Sequence, residues 1–222
     1  RMKGVMKLDG ITSTNPVAVG DIVEIESQAD TDNSAIINEI HSRNNYINRQ
    51  SPRHKHQHHI VAANLDQSML VATLKEPKTS QGFIDRFLLA SEMYHVKPFI
   101  VFNKSDLYKE KEMAKYEQWK AMYEAVGYKV FLVSAEKREG VEEVLEMFKD
   151  KTTLISGHSG VGKSSFLNVV FPGKELKTQE VSGWSGKGQH TTTFAEMFDL
   201  PPDGGGSIID TPGMREFGLV DI

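Results

Sequence analysis

Apolar and polar positions follow two different rhythms along this chain. Residues 1 to about 58 carry a β character. Gly20-Asp21-Ile22-Val23-Glu24-Ile25-Glu26 sets an apolar/acidic alternation behind a turn-forming Gly-Asp, the period-two mark of a half-buried strand. Ala35–Ile40 is a second candidate strand, and the polar stretch between them, Gln28 to Ser34, is turn-rich. Small antiparallel modules of this kind include the OB barrel. Two strands are too few to close one, so the module reads as incomplete. Ser51 to His59 is polar, contains Pro52 and has no apolar period, so it reads as a linker.

From Ile60 onward short apolar runs alternate with longer amphipathic ones. Strands are expected at His59–Ala63, Met69–Thr73, Pro98–Phe102, Lys129–Val133, Thr153–Ile155 and Ser207–Ile209. Helices are expected at Ser80–His95, Lys109–Val126, Val141–Lys149 and Gly162–Val169. Phe83, Phe87 and Leu88 fall on one face of the first helix; Met113, Tyr116, Trp119, Met122 and Tyr123 do so in the second. Strands alternating with helices predict an α/β fold with a mainly parallel sheet covered on both faces. Such sheets bind ligands at the carboxyl ends of their strands. The expected division is a partial β domain and linker over 1–58 and an α/β domain over 59–222.

Composition narrows the class. The 222 residues are 39% apolar and 25% charged, enough to bury a core and too balanced for wholesale disorder. No apolar run approaches a membrane span and no signal peptide opens the chain, so a membrane role is not expected. There is no cysteine, which excludes disulfides and thiolate metal sites within these residues and suits a reducing compartment. With 26 basic and 30 acidic residues the net charge is −4, so the chain as a whole is no electrostatic nucleic-acid glue. The start at Arg1 and the stop at Ile222 read as edges of a longer protein.

Gly157-His158-Ser159-Gly160-Val161-Gly162-Lys163-Ser164 matches G-x-x-x-x-G-K-[ST]. A buried strand, Thr152 to Ile155, precedes it, and Ser165-Phe166-Leu167 opens a helix after it, as a phosphate loop requires. The glycines let successive N–H groups point at phosphate oxygens, and the helix N-terminus adds its positive end. Lys163 reaches the β and γ phosphates, and the Ser164 hydroxyl ligates Mg²⁺. Alone, the loop specifies a nucleotide but not which one.

Asn103-Lys104-Ser105-Asp106 follows the apolar run Pro98–Phe102 and resembles the N-K-x-D base selector of GTPases. A carboxylate at Asp106 accepts from guanine N1–H and N2–H₂ together. Adenine has an acceptor at that ring nitrogen and lacks that amino group, so it leaves the carboxylate unpaired. The Lys104 stem is placed along the base, and Asn103 is placed to tie this loop to the phosphate loop. Ser134-Ala135-Glu136 resembles the S-A-[KE] element that supports the base through a backbone N–H. Asp210-Thr211-Pro212-Gly213 resembles D-x-x-G, in which the Asp holds Mg²⁺ through water and the Gly213 N–H senses the γ-phosphate. Between these lies Gly188-Gln189-His190-Thr191-Thr192-Thr193, where one threonine (Thr192, or Thr191 or Thr193) completes the Mg²⁺ shell. Met214 stands where many GTPases carry a water-orienting Gln. His190 is the candidate replacement, since it titrates near neutrality.

The order of these elements is base selector, Ser-Ala element, phosphate loop, threonines, D-x-x-G. It is the ordinary GTPase order rotated, which describes a circularly permuted P-loop GTPase. With the N-terminal β module and the stretches His190–Thr193 and Asp210–Leu219, the chain resembles the ribosome small-subunit-dependent GTPase A family over essentially its whole length. The resemblance implies an OB-like N-terminal domain and GTP or GDP bound with Mg²⁺ at Asn103, Lys104, Asp106, Ser134, Ala135, residues Gly157 to Ser165 and Gly213. It also implies a role in late maturation of the small ribosomal subunit through its rRNA, in a bacterial cytoplasm. A C-terminal zinc domain belongs to the family, and its ligands lie outside this chain. A monomer is expected.

His54, His56, His58 and His59 lack accompanying carboxylates, so metal binding is the weaker reading. With Arg43, Arg49, Arg53, Lys55 and Tyr46 they are read instead as an RNA-facing edge, the alternative being a solvated linker. Two other functions compete with the GTPase. One is a P-loop ATPase or kinase, against which Asp106 argues. The other is an RNA-binding module whose nucleotide site is only regulatory.

Overall fold

The computed structural model describes residues 15–27, 35–50, 58–171, 195–200 and 205–210. It contains strands β1 (Val23–Ser27), β2 (Ala35–Ile40), β3 (Tyr46–Gln50), β4 (His58–Ala63) and β5 (Gln67–Ala72), then helix α1 (Gln81–Met93). β6 (Lys97–Phe102), α2 (Glu110–Ala125), β7 (Val130–Leu132), α3 (Val141–Phe148), β8 (Thr152–Ser156) and α4 (Lys163–Val170) follow. β9 (Glu196–Asp199) and β10 (Ser207–Asp210) complete the described elements.

Six strands form one sheet in the order β7-β6-β5-β8-β10-β9. Every neighbouring pair is parallel except β10 with β9. β5 lies central and is buried along its whole length, as a strand covered on both faces must be. Its two polar residues are satisfied. Gln67 donates to the Met147 carbonyl (2.6 Å) and the Thr153 hydroxyl (2.9 Å), and Ser68 pairs with Ser91 at 2.9 Å. Helices α1 and α2 cover one face with Phe83, Phe87, Tyr116, Trp119 and Tyr123. On the other, α3 and α4 contribute Val141, Val144, Phe148, Phe166 and Leu167.

The helix faces form as expected, with one exception: Met122 is 37% exposed, whereas Tyr116, Trp119 and Tyr123 turn inward. Ser80 caps α1, its hydroxyl accepting from the Phe83 N–H at 3.3 Å.

The N-terminal strands form two separate antiparallel pairs, β1 with β2 and β3 with β4. The strand expected over 59–63 forms, but it pairs with β3 rather than joining the large sheet. β3 itself was not expected. Nor does β1 become half-buried: Ile25 is 61% exposed, and the ladder is irregular between Glu24 and Ile25. Acidic alternation marks a strand's period without supplying anything to cover its apolar side.

Arg43 is not a free basic group. Its guanidinium donates to both oxygens of Asp21, at 2.6 and 2.7 Å, with the two side chains only 7% and 1% exposed. This bidentate pair fixes the entry to β1 and removes Arg43 from the expected RNA-facing edge. Tyr46 likewise packs its ring 6.0 Å from that of Tyr94. Of the linker expected over Ser51 to His59, His58 and His59 belong instead to β4, where a ladder with β3 takes their backbone; residues 51–57, with His54 and His56, lie outside the described residues, as do His190, Thr191, Thr192, Thr193, Gly213 and Met214.

Candidate functional site

Because β5, β6, β7, β8 and β10 all run the same way, the segments that leave them gather at one end of the sheet. Asn103 follows β6, Ser134 lies just past β7, Gly157 follows β8, and Asp210 is the last residue of β10. Residues separated by 107 positions of sequence (103 to 210) thereby share one edge.

The phosphate loop is seated by its own residue types. Gly157 has φ +150°, and a Cβ there would lie 2.4 Å from the Val71 carbonyl oxygen of β5. Only glycine lets the loop leave β8 that close to the neighbouring strand. Gly162, at φ +90°, opens α4, and a Cβ there would meet the Asn103 amide nitrogen at 2.4 Å. Lys163 donates to the carbonyls of Gly157 (2.7 Å) and His158 (2.9 Å), which folds the loop around its own ammonium. Burial pushes this ammonium down to about 8, while the Asp210 carboxylate opposes the shift. The ring of His158 stacks on Phe83 of α1, with centroids 3.7 Å apart and planes 29° apart.

Asn103 joins this loop to the base side. It is 1% exposed. Its Nδ2 donates to the Val161 carbonyl at 2.9 Å, and its Oδ1 accepts from the Ala135 N–H at 3.0 Å. The expected phosphate loop, base selector and Ser-Ala element therefore meet on one side chain. The Ser134 hydroxyl donates to Asp106 Oδ1 at 2.5 Å, orienting a carboxylate that is itself exposed. Lys104 has left-handed backbone (φ 65°), and its ammonium donates to the Glu76 carbonyl at 2.5 Å. Its Cε lies 3.9 Å from the place a Gly162 Cβ would take, so the stem crosses beside the phosphate loop.

Tyr108 was not anticipated. Its hydroxyl donates to the Asn103 carbonyl (2.8 Å) and accepts from the Leu74 N–H (2.9 Å), bracing the base loop against the segment after β5. Burial raises its phenol well above the ordinary value.

Ser164 lies half-buried in the first turn of α4, and Asp210 is 7% exposed at the end of β10. Among the described residues no group of three or more His, Cys, Asp or Glu side chains gathers. A hydroxyl and a single carboxylate fit Mg²⁺ held mainly by nucleotide phosphates and water, which is how that ion is usually bound.

The RsgA GTPase family model matches residues 40–220. The chain belongs to the RsgA GTPase family. It is 50% identical over 222 residues to the small ribosomal subunit biogenesis GTPase RsgA of Bacteroides fragilis, spanning 100% of this chain and 70% of that protein. The Flavobacterium psychrophilum protein of the same name is 45% identical over 223 residues, covering 100% of this chain and 68% of its own length. Among solved structures, YjeQ from Thermotoga maritima matches with a TM-score of 0.68 at 34% identity, covering 93% of this chain and 63% of that one. YloQ, a circularly permuted GTPase, matches with 0.64 at 28% identity, covering 96% and 64%. Membership of the RsgA family makes this a GTP-hydrolysing enzyme, and the rotated motif order is that of a circularly permuted GTPase.

Proposed function

We propose that this chain binds GTP across the carboxyl edge of its six-stranded sheet and hydrolyses it as a maturation factor of the small ribosomal subunit, which stimulates the reaction. The observation that carries the nucleotide assignment is Asn103, whose one amide holds Val161 of the phosphate loop and Ala135 of the base-supporting element. The ribosomal assignment is supported by the names of the relatives.

In this reading Asp106, oriented by Ser134, accepts from the guanine edge, and the Lys104 stem lies along the base. Lys163, two of whose N–H groups are held by the loop carbonyls, turns its third toward the β- and γ-phosphate oxygens and stabilises the charge that develops as the γ-phosphoryl group leaves. Loop N–H groups from Gly157 to Ser165 supply the remaining donors. Ser164, Asp210 and one threonine of 191–193 would hold Mg²⁺, which neutralises phosphate charge when bound. The Gly213 N–H senses the γ-phosphate, and His190 positions the water. With no Gln after Gly213, turnover without the ribosomal target is slow.

The same reading divides the chain into an OB-like module over 1–58 and a GTPase domain over 59–222, acting as a monomer in the cytoplasm, where subunits are assembled. No described helix is long and apolar enough to cross a membrane.

The deciding experiment is GTP turnover by the chain with and without purified small ribosomal subunits, in the presence of excess ATP. Stimulation that survives ATP supports both parts of the proposal. Abolition by ATP would overturn the guanine assignment and favour the ATPase reading. Binding without any multiple turnover would favour a regulatory site.

A further inference from the structure

We infer that Phe83 of α1 is a positioning residue for the phosphate loop, acting through the imidazole of His158. The inference rests on the reading of residues 157–164 as the phosphate site. It adds an element that carries none of the guanine-binding motifs.

The loop is held at three places. Gly157 lies against the Val71 carbonyl of β5, Val161 accepts from Asn103, and His158 lies against Phe83. The first two are backbone contacts or hydrogen bonds to strand ends. The third is a ring-on-ring contact, and it falls on the residue whose carbonyl receives Lys163. The rotamers open to a side chain depend on its backbone φ and ψ, so a ring held against Phe83 narrows the orientations open to the His158 peptide. Holding the His158 ring therefore helps to hold the carbonyl that takes the Lys163 ammonium at 2.9 Å.

Phe83 is a rigid platform. It is 2% exposed, and its backbone N–H is taken by the Ser80 cap. α1 is fixed again at Asp85, which accepts from the Tyr123 hydroxyl at 2.8 Å, and at Ser91, paired with Ser68. At its far end Tyr94 donates its hydroxyl to Asn48 of β3. The helix thus cannot roll without breaking contacts to β5, α2 and the β3–β4 sheet.

The chemistry of the pair is that of two neutral rings. Burial, then the charge of Lys163, then that of Arg86 one turn along α1, hold the imidazole below its ordinary value. Stacking of this kind contributes about 0.5–1.5 kcal/mol beyond area burial, and a neutral aromatic ring should substitute for the imidazole.

The test uses the full chain and fluorescent GDP. Phe83→Leu keeps volume and removes the ring; it should weaken GDP binding about three- to tenfold and raise the KM for GTP more than it lowers kcat. The ratio of GDP to IDP affinity, which reads the base contact, should not move. Phe83→Tyr should recover the affinity lost in Phe83→Leu. His158→Ala should weaken binding to a similar extent, and His158→Phe should recover most of that loss. Combining Phe83→Leu with His158→Ala should cost little more than either alone.

Thermal unfolding without nucleotide separates the folded fraction from its affinity. If Phe83→Leu does not fold, the two His158 variants decide. Affinity within twofold of the unaltered chain in Phe83→Leu and His158→Ala, or additive losses in the double variant, would overturn the inference. Failure of the unaltered chain to bind GDP would overturn the phosphate-site reading and this inference together.

Discussion

The amide of Asn103 donates to the Val161 carbonyl at 2.9 Å across 58 residues of sequence. Its other end accepts from the Ala135 N–H. Both partners are buried, so cutting the bond on one side strands groups that water cannot reach. Each such group costs about 1–3 kcal/mol. Asn103→Ala should therefore lower GDP affinity at least ~tenfold and lower the melting temperature as well. A calorimetric titration beside a thermal melt checks both, and an unchanged affinity would show that the two loops are held together by something else.

Selectivity should reside in Asp106. Xanthine presents a carbonyl where guanine presents an amino group, so an amide at this position matches xanthine and a carboxylate matches guanine. Asp106→Asn should lose most GDP binding and gain XDP binding, a switch of at least ~100-fold in their ratio. Ser134→Ala, which removes the 2.5 Å orienting bond and the acceptor that the Lys137 N–H meets at 3.1 Å, should reduce affinity while keeping guanine preferred. Competition by GDP and XDP against one fluorescent nucleotide measures both.

Gly157 has no room for a methyl group, since the obstacle is the Val71 carbonyl at 2.4 Å rather than a movable side chain. Gly157→Ala should push the loop off β5 and abolish nucleotide binding, while circular dichroism still reports the folded sheet. A variant that binds GDP normally would show that the loop leaves β8 by another path.

Removing only the phenol oxygen of Tyr108 leaves the Asn103 carbonyl and the Leu74 N–H each one partner short. Tyr108→Phe should cost about 1–2 kcal/mol of stability and weaken GDP binding by a smaller factor than Asn103→Ala. Chemical denaturation with matched binding curves would test this, and a loss of affinity equal to that of Asn103→Ala would contradict it.

Alkaline stability follows from the buried phenols. Burial raises Tyr108 and Tyr123, and raises Tyr116 to about 12. An acid whose folded value lies above its unfolded one has no effect on stability below the unfolded value. Once the unfolded phenol ionises, near pH 10, the unfolded state holds fewer protons and stability falls as pH rises. Stability should be flat through neutrality and drop above about pH 10. Absorbance at 295 nm should show the three phenols ionising together with unfolding, and Tyr123→Phe should soften the drop. Early ionisation of all six tyrosines in the folded chain would contradict it.

Much of the candidate site's placement was legible in the sequence because its motifs are short-range. A phosphate loop, an N-K-x-D turn and an aspartate at a strand end are each fixed by a few consecutive residues, and apolar runs placed each at a strand's carboxyl end. The residues that join them were not legible. Phe83 reads as one apolar face residue among several, and Tyr108 as an ordinary turn residue past Asp106. Their partners, His158 and Leu74, are chosen by packing rather than by spacing. β9 and β3 escaped for a related reason. Glu196–Asp199 and Tyr46–Gln50 have little apolar alternation of their own and are strands because a neighbour offers a ladder. Arg43 shows the opposite error: a basic residue counted toward a surface belongs to a buried pair with Asp21.

The sheet order carries a consequence for how the protein is made. Of the six-stranded sheet, β5, β6 and β7 leave the ribosome first and can pair among themselves, leaving one side of β5 open. That side closes only when β8 arrives, and the Val161 carbonyl follows five residues behind the end of β8. On the proposed assignment, a nascent chain then already holds the base-reading residues Asn103, Asp106 and Ser134 while still lacking the phosphate loop. On the proposed assignment of the site, retention of nucleotide should begin only once residue 161 is in place, late in synthesis.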